Sequence, residues 1–434
     1  MKKILISLLA LMMALTSVAA MAENMGNDVE WRAQLSDAGK GIYVEGLSDE
    51  EIAALTETTI IKDENSPTGY TVTFRHYAPD ATRVRIRGEW SLYQPTRNST
   101  FVTGPYDPEE WVDGMVPVQV DLADWPAYDM EKNEETGVWY HTIPLYSGTW
   151  SYRFYEGGVE GAELTDYTDA VATTDVNNRP FEKELGEQGN SQVRVPYDAE
   201  KQTQDFSVQL ARTDDKVGIT EVLTYEATGV EDLKGDPAIA VYLPYGYDAE
   251  REEPYKTLYI SHGGGAESET SWYNKGSLAN ITDNLMAEGI VEPMVVVILN
   301  NFAVNFSEDS LINDVLPLVE STYNVSTDVA NKAVCGLSAG SMFTSRVMQK
   351  YPEAFGTYGR FSAEQPSEYP ESIGNANLYV SAGYYDFAFG EMLALEEQFE
   401  DMGFEYDSFY AFGGHDWNTW RQIYVDFLSN FLWK

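Results

Sequence analysis

Apolar and polar positions change their period near the middle of the chain. From about Tyr70 to Glu184 the alternation is two residues long. Val84 and Ile86 stand between Arg83, Arg85 and Arg87, and Trp150, Tyr152 and Phe154 alternate with Ser151 and Arg153. Gly157-Gly158 closes the second run, and Glu134 to Gly137 makes a turn ahead of Val138-Trp139-Tyr140-His141. Alternation broken by turns at this spacing predicts an antiparallel β-sandwich. His76 and His141 fall on these strands and read as ordinary strand residues. Asn190 to Asp215 is polar, poor in apolar residues, and reads as a linker. Beyond it short apolar runs alternate with helical patterns. Ala238 to Leu243, Thr257 to Ser261, Met294 to Leu299, Ala333 to Cys335, Asn377 to Ser381 and Phe409 to Phe412 read as strands. Helical patterns lie near Leu311 to Tyr323, after Ser338, and from Trp417 to Leu432. Such alternation predicts a parallel sheet covered on both faces.

A length of 434 residues fits two domains, and 43% apolar with 13% aromatic residues fits globular packing. Met1-Lys2-Lys3, the apolar run Ile4 to Val18 and Ala20-Met21-Ala22 read as a signal peptide with its cleavage site, which implies secretion. The expected division is therefore a leader over 1–22, an unassigned extension over 23–69, the sandwich over 70–190, the linker over 191–215 and the second domain over 216–434. No later stretch is apolar and long enough to span a bilayer. The single cysteine, Cys335, precludes an intramolecular disulfide and reads as a small core residue. A net charge of −42 repels nucleic acid, anionic lipid and polyanionic substrates. The carboxylates are spread along the chain without calcium-loop spacing, so the charge reads as a soluble surface and not as a specific acidic site.

The candidate chemistry is concentrated in the second half. Gly336-Leu337-Ser338-Ala339-Gly340 fits G-x-S-x-G between a predicted strand and a predicted helix. In that context a serine is exposed on a tight turn as a nucleophile, followed in the chain by an acid and then a histidine. His415, in Gly413-Gly414-His415-Asp416, is the one histidine after Ser338. Asp386 ends the loop that follows the predicted strand Leu378 to Ser381, where an orienting carboxylate belongs. Asp416 and Glu391 are its nearest competitors. His262-Gly263-Gly264-Gly265 follows the strand ending at Ser261 and supplies one half of an oxyanion hole; the backbone N–H of Ala339 supplies the other. His262 precedes the nucleophile and reads as structural.

These motifs resemble a known group. Ile239 to Tyr247, the H-G-G-G loop with Glu269 and Trp272 after it, the G-L-S-A-G turn and G-G-H-D-W are similar to the secreted esterase D and feruloyl esterase group within the first family of carbohydrate esterases. Phe74 to Pro79, Gly137-Val138-Trp139 and Tyr152-Arg153-Phe154 resemble the immunoglobulin-like early-set domain that often precedes such esterases. The resemblance implies an α/β-hydrolase fold behind a smaller sandwich, and hydrolysis of feruloyl or acetyl esters on plant cell-wall polysaccharide without cofactor or metal. Carried onto this chain it implies Ser338 as nucleophile, Asp386 as acid, His415 as base and Gly264 with Ala339 as oxyanion donors, Gly265 being the alternative to Gly264. Ser341 departs from the second glycine that often follows the turn. Trp272, Tyr384 and Trp417 are candidates to stack on an acyl group or sugar ring. The chemistry is expected to lie wholly after Gly235, leaving the sandwich separable. Two other readings share these features: an enterochelin-type siderophore esterase, and a carbohydrate-binding homologue without catalysis.

Overall fold

The computed structural model describes residues 29–31, 42–44, 48, 51, 54–95, 102–118, 125–159, 161–175, 190–265, 267–363 and 367–434. The expected leader lies outside the described residues. The carboxyl-terminal half is built on a nine-stranded sheet. Its parallel part runs, in spatial order, Met294–Leu299, Lys256–Ser261, Lys332–Leu337, Thr357–Phe361, Asn377–Gly383 and Asp407–Ala411. Three antiparallel strands extend one edge: Ala238–Leu243, Ile219–Thr224 and, outermost, Val29–Trp31.

Strands buried on both faces read as continuous apolar runs, because successive side chains point to opposite sides. Val295 and Val297 join one core with helices Ala339–Lys350 and Phe389–Met402. Val296 and Ile298 join the other with helices Leu278–Ala287 and Trp417–Asp426. Cys335 belongs to this second core and is fully buried, and burial pushes its thiol pKa up. It is an inert core residue.

The amino-terminal half contains two five-stranded sheets packed on one another. Phe74 of one sheet and Tyr152 of the other lie with ring centroids 4.6 Å apart. Val84, Ile86, Trp150 and Phe154 point into this core, as the alternation predicts. The intervening arginines are buried as well. Arg85 donates to the backbone oxygens of Leu164 and Asp166, and the Tyr167 ring lies 4.6 Å from its guanidinium.

Two expected boundaries are corrected. Ser191–Val195 is not linker but a strand paired antiparallel with Gly148–Gly157. The stretch behind it is fastened by buried polar side chains: Gln209 accepts from Thr149 N, and Gln202 accepts from Ser147 N. Its polar residues are in part exposed and in part buried in hydrogen bonds to the sandwich. The extension before Tyr70 also has a structural role. Val29–Trp31 edges the larger sheet, while Ile42–Val44 and Thr59–Lys62 join the sandwich.

Candidate active site

The strand Lys332–Leu337 enters the helix Ala339–Lys350 through Ser338, whose φ of 51° and ψ of −120° are unusual for a residue with a side chain. Such strain persists only when the surroundings enforce it. The flanking glycines show how. A Cβ on Gly336 would lie 2.5 Å from the carbonyl carbon of Gly340, and one on Gly340 would strike the backbone oxygen of His262. Only hydrogen fits at both places, so the G-x-S-x-G spacing is a steric requirement of this turn.

The Asp386 and His415 loops meet by the same logic. A Cβ on Gly383 would collide with the backbone oxygen of Gly413, while Tyr384 N and Tyr385 N donate to Ala411 and Gly413. The strand Asn377–Gly383 therefore carries Asp386 directly against the loop that holds His415. His415 Nδ1 donates to Asp386 Oδ1 at 2.9 Å, and Ser338 Oγ donates to His415 Nε2 at 2.9 Å. A carboxylate only accepts, so this row fixes the neutral tautomer in which Nε2 is free to accept the serine proton. Asp386 is buried, and its Oδ1 also accepts from Ala388 N at 2.8 Å.

The competing acids are engaged elsewhere. Asp416 caps the helix Trp417–Asp426, accepting from Thr419 N and Gly414 N. Burial, only partly offset by these bonds, holds its pKa above the ordinary carboxylate range. Glu391 is exposed on the helix Phe389–Met402.

Gly263 and Gly264 line the cleft beside Ser338, and a Cβ on Gly264 would lie 3.7 Å from that of Ala339. Gly265 faces outward with nothing within reach of its Cβ position. As the first residue of its helix, Ala339 has an N–H without an intrahelical partner. His262 is fully buried and donates from Nδ1 to Gly263 O at 2.8 Å. Burial lowers its pKa, which keeps it neutral.

The cleft encloses about 380 Å³ and is walled by both halves of the protein. Leu337, Trp417 and Trp420 come from the larger sheet's domain, and Pro117, Val118, Trp125 and Trp150 from the sandwich. Glu89 adds a carboxylate from the sandwich, and burial pushes its pKa up against the pull of Arg421. Glu267 is also on the wall; burial opposes its ionisation, but Lys275 at 2.9 Å, the Ser271 hydroxyl and His262 together hold its pKa low. The residues assigned to the chemistry lie after Gly235, while the sandwich walls one side of the cleft. Alternation marked Trp150 as a core residue, and nothing in the sequence marked Pro117 or Trp125 as neighbours of Ser338.

Of the three stacking candidates, Trp417 lines the cleft. Trp272 does not: it is fully buried, donates to Ser261 O and supports Trp417 edge-on at 5.2 Å. Tyr384 lies outside the cleft in an aromatic group with Phe389 and Phe412. No motif or period pointed to Phe387, which is 73% exposed and rests on the His415 ring at a centroid distance of 4.2 Å.

The parallel sheet, the strained serine turn and the hydrogen-bonded row beyond its carboxyl edge define an α/β-hydrolase-like class. Known proteins agree with that class. Residues 230–378 match a family model described as "Putative esterase". The chain is 31% identical over 182 residues to an endo-1,4-beta-xylanase/feruloyl esterase of Xylanibacter ruminicola, a match covering 38% of this chain and 25% of that relative. The chain thus spans about a quarter of that relative's length. A feruloyl esterase module from Clostridium thermocellum is 22% identical, covers 53% of this chain and 93% of its own, and gives a TM-score of 0.45. The enterochelin esterase of Shigella flexneri is 15% identical with a TM-score of 0.54 and covers 87% of this chain and 97% of its own, so the shared fold extends over both domains. By sequence the chain resembles a feruloyl esterase-like carbohydrate esterase.

Proposed function

We propose that this protein is a secreted serine esterase acting on feruloyl or acetyl esters of plant cell-wall polysaccharide. The observation that carries the reading is the row Ser338–His415–Asp386, with its 2.9 Å bonds, opening onto a cleft beside Gly264 and Ala339. Ser338 Oγ attacks the ester carbonyl as His415 Nε2 takes its proton, and Asp386 stabilises the imidazolium. The developing oxyanion accepts from the N–H groups of Gly264 and Ala339. His415 then protonates the departing alcohol and activates water against the acyl-enzyme. The indoles of Trp125, Trp150, Trp417 and Trp420 favour an aromatic acyl group in this cleft. The leader expected over 1–22 supports export, and among the described residues no helix is long and apolar enough to cross a membrane. The sandwich serves as an immunoglobulin-like wall of the cleft.

The fold shared with enterochelin esterase over both domains favours a second reading, hydrolysis of a siderophore lactone. Against it stands a net charge of −42, which disfavours a polyanionic catecholate. Rates on methyl ferulate, an aryl acetate and a tricatecholate lactone discriminate the readings. Methyl ferulate or the acetate is expected to be cleaved. Preference for the lactone selects the second reading, and a folded protein inert toward all three ends both.

A further inference from the structure

A smaller recess of about 150 Å³ adjoins the cleft and shares Glu89, Trp125 and Trp417 with it. It lies between the outer face of the sandwich, at Ser151 and Gln192, and the short helix Ser271–Asn274. Its chemistry differs from the aromatic cleft. Asn274 is 4% exposed, and its Nδ2 has no hydrogen-bond partner among the described residues. A buried donor left unmatched is costly unless a ligand or water completes it. Gln192 is equally buried on the facing strand. Carboxamides both donate and accept, which suits hydroxyl groups, themselves donors and acceptors.

Charge narrows the ligand. Lys275 is tied to Glu267 at 2.9 Å, so it is not a free cation for an acidic group. Glu89 stands at the junction of the two spaces with one oxygen accepting from Ser151 N at 2.8 Å, and its side chain is 22% exposed. A carboxyl group there can hydrogen-bond a hydroxyl and offers no cation to an acidic group. The indoles of Trp125 and Trp417 at the same junction offer flat apolar faces to a ring.

We propose that this recess is a subsite for the uncharged sugar ring that carries the ester, with Asn274, Gln192 and Glu89 hydrogen-bonding its hydroxyls. The proposal rests on the esterase reading and assigns the sandwich a part in choosing the alcohol half of the substrate. It is tested with a ferulate ester of a pentose against methyl ferulate, in wild type, Asn274→Ala and Gln192→Ala. Wild type should favour the pentose ester in kcat/KM, and each substitution should lower that preference by about tenfold, the equivalent of one or two lost hydrogen bonds. Cleavage of methyl ferulate by wild type establishes the esterase reading separately. Given that cleavage, no preference for the pentose ester, or a preference untouched in both variants, overturns the subsite alone. A change in the ratio of methyl ferulate to methyl cinnamate instead would place the phenolic end of the acyl group in the recess and also overturn it. Should both variants fail to melt cooperatively, inhibition of methyl ferulate hydrolysis by a methyl pentoside in wild type reads the same subsite. Competitive inhibition is expected, and its absence sinks the proposal.

Discussion

Arg421, in the helix that follows His415, donates from Nη2 to the backbone oxygen of Thr149 in the sandwich at 3.1 Å. Its Nη1 donates to Lys275 O at 2.9 Å, and Glu89 lies 4.0 Å away. One guanidinium, 1% exposed, therefore joins the sandwich, the carboxyl end of the short helix Ser271–Asn274 and the helix behind the histidine. Thr149 and Arg194 meet Ser277 at the same junction.

Replacing Arg421 with Met keeps most of the apolar stem but leaves two carbonyls and a partly buried carboxylate without their cation. The expected cost is about 3 kcal/mol of stability, read from the urea midpoint, together with reduced turnover of small esters as the cleft walls separate. An unchanged midpoint would mean that the domains are held by other contacts.

Ser338→Ala should leave the melt unchanged, because the side chain faces the cleft and its loss opens no core cavity. Ester turnover should fall by roughly 10³-fold or more, and labelling by organophosphorus reagents should cease. Near-normal turnover in this variant removes the nucleophile assignment.

Asp386→Asn and Asp416→Asn separate an orienting role from a capping role. The first preserves shape but presents an amide to His415 Nδ1, favouring the wrong tautomer at a cost of roughly 10⁴-fold in kcat. The second retains an oxygen able to accept from Thr419 N, so a loss of at most about 1 kcal/mol of stability is expected with modest kinetic change. The reverse pattern would make Asp416 the acid.

Much of this arrangement could be read before the structure. Strands such as Met294–Leu299, buried on both faces, are continuous apolar runs, and the glycines of the serine turn are fixed by steric need. Thr357–Phe361 was harder to see. Its Arg360 is buried, donating to Ser341 Oγ at 3.1 Å and Tyr369 OH at 2.7 Å, so a charge interrupts a core strand. The hydroxyl of Ser341, the departure from the usual glycine, donates in turn to Ala363 O at 2.6 Å. The particular residues that make the sandwich wall of the cleft were hidden for a different reason. Trp125 and Trp150 reach the serine only through the docking of two domains, which no local period encodes.

Asp283 predicts a pH dependence of stability. Buried beneath Tyr242, whose hydroxyl it accepts at 2.6 Å, it has a pKa raised by burial to about 6. A folded pKa above the unfolded one means that the folded state holds the proton more tightly. This stabilisation is fully present below about pH 3.8 and is lost as pH rises through about 6. Asp283→Asn should flatten that part of the curve of unfolding free energy against pH. A slope identical to wild type would exclude Asp283 as its source.

Removing everything before Ser191 tests whether the larger domain stands alone. The cut leaves Ser191–Val195 without the strand Gly148–Gly157, exposing Val193 and Val195, both fully buried in the intact chain. It also strips Val29–Trp31 from the edge of the larger sheet and takes Thr149 O from Arg421. Exposed apolar strand edges favour association between chains. The truncated protein should therefore aggregate or melt without cooperativity. Any soluble fraction should have lost the Trp125 and Trp150 wall and turn over methyl ferulate at least about tenfold more slowly, the equivalent of about 1.4 kcal/mol of lost transition-state contact. A monomeric fragment that melts cooperatively and cleaves methyl ferulate at the full-length rate would show that the sandwich, though it borders the cleft, contributes nothing to binding the acyl group. The part it plays in catalysis would then be confined to the sugar side.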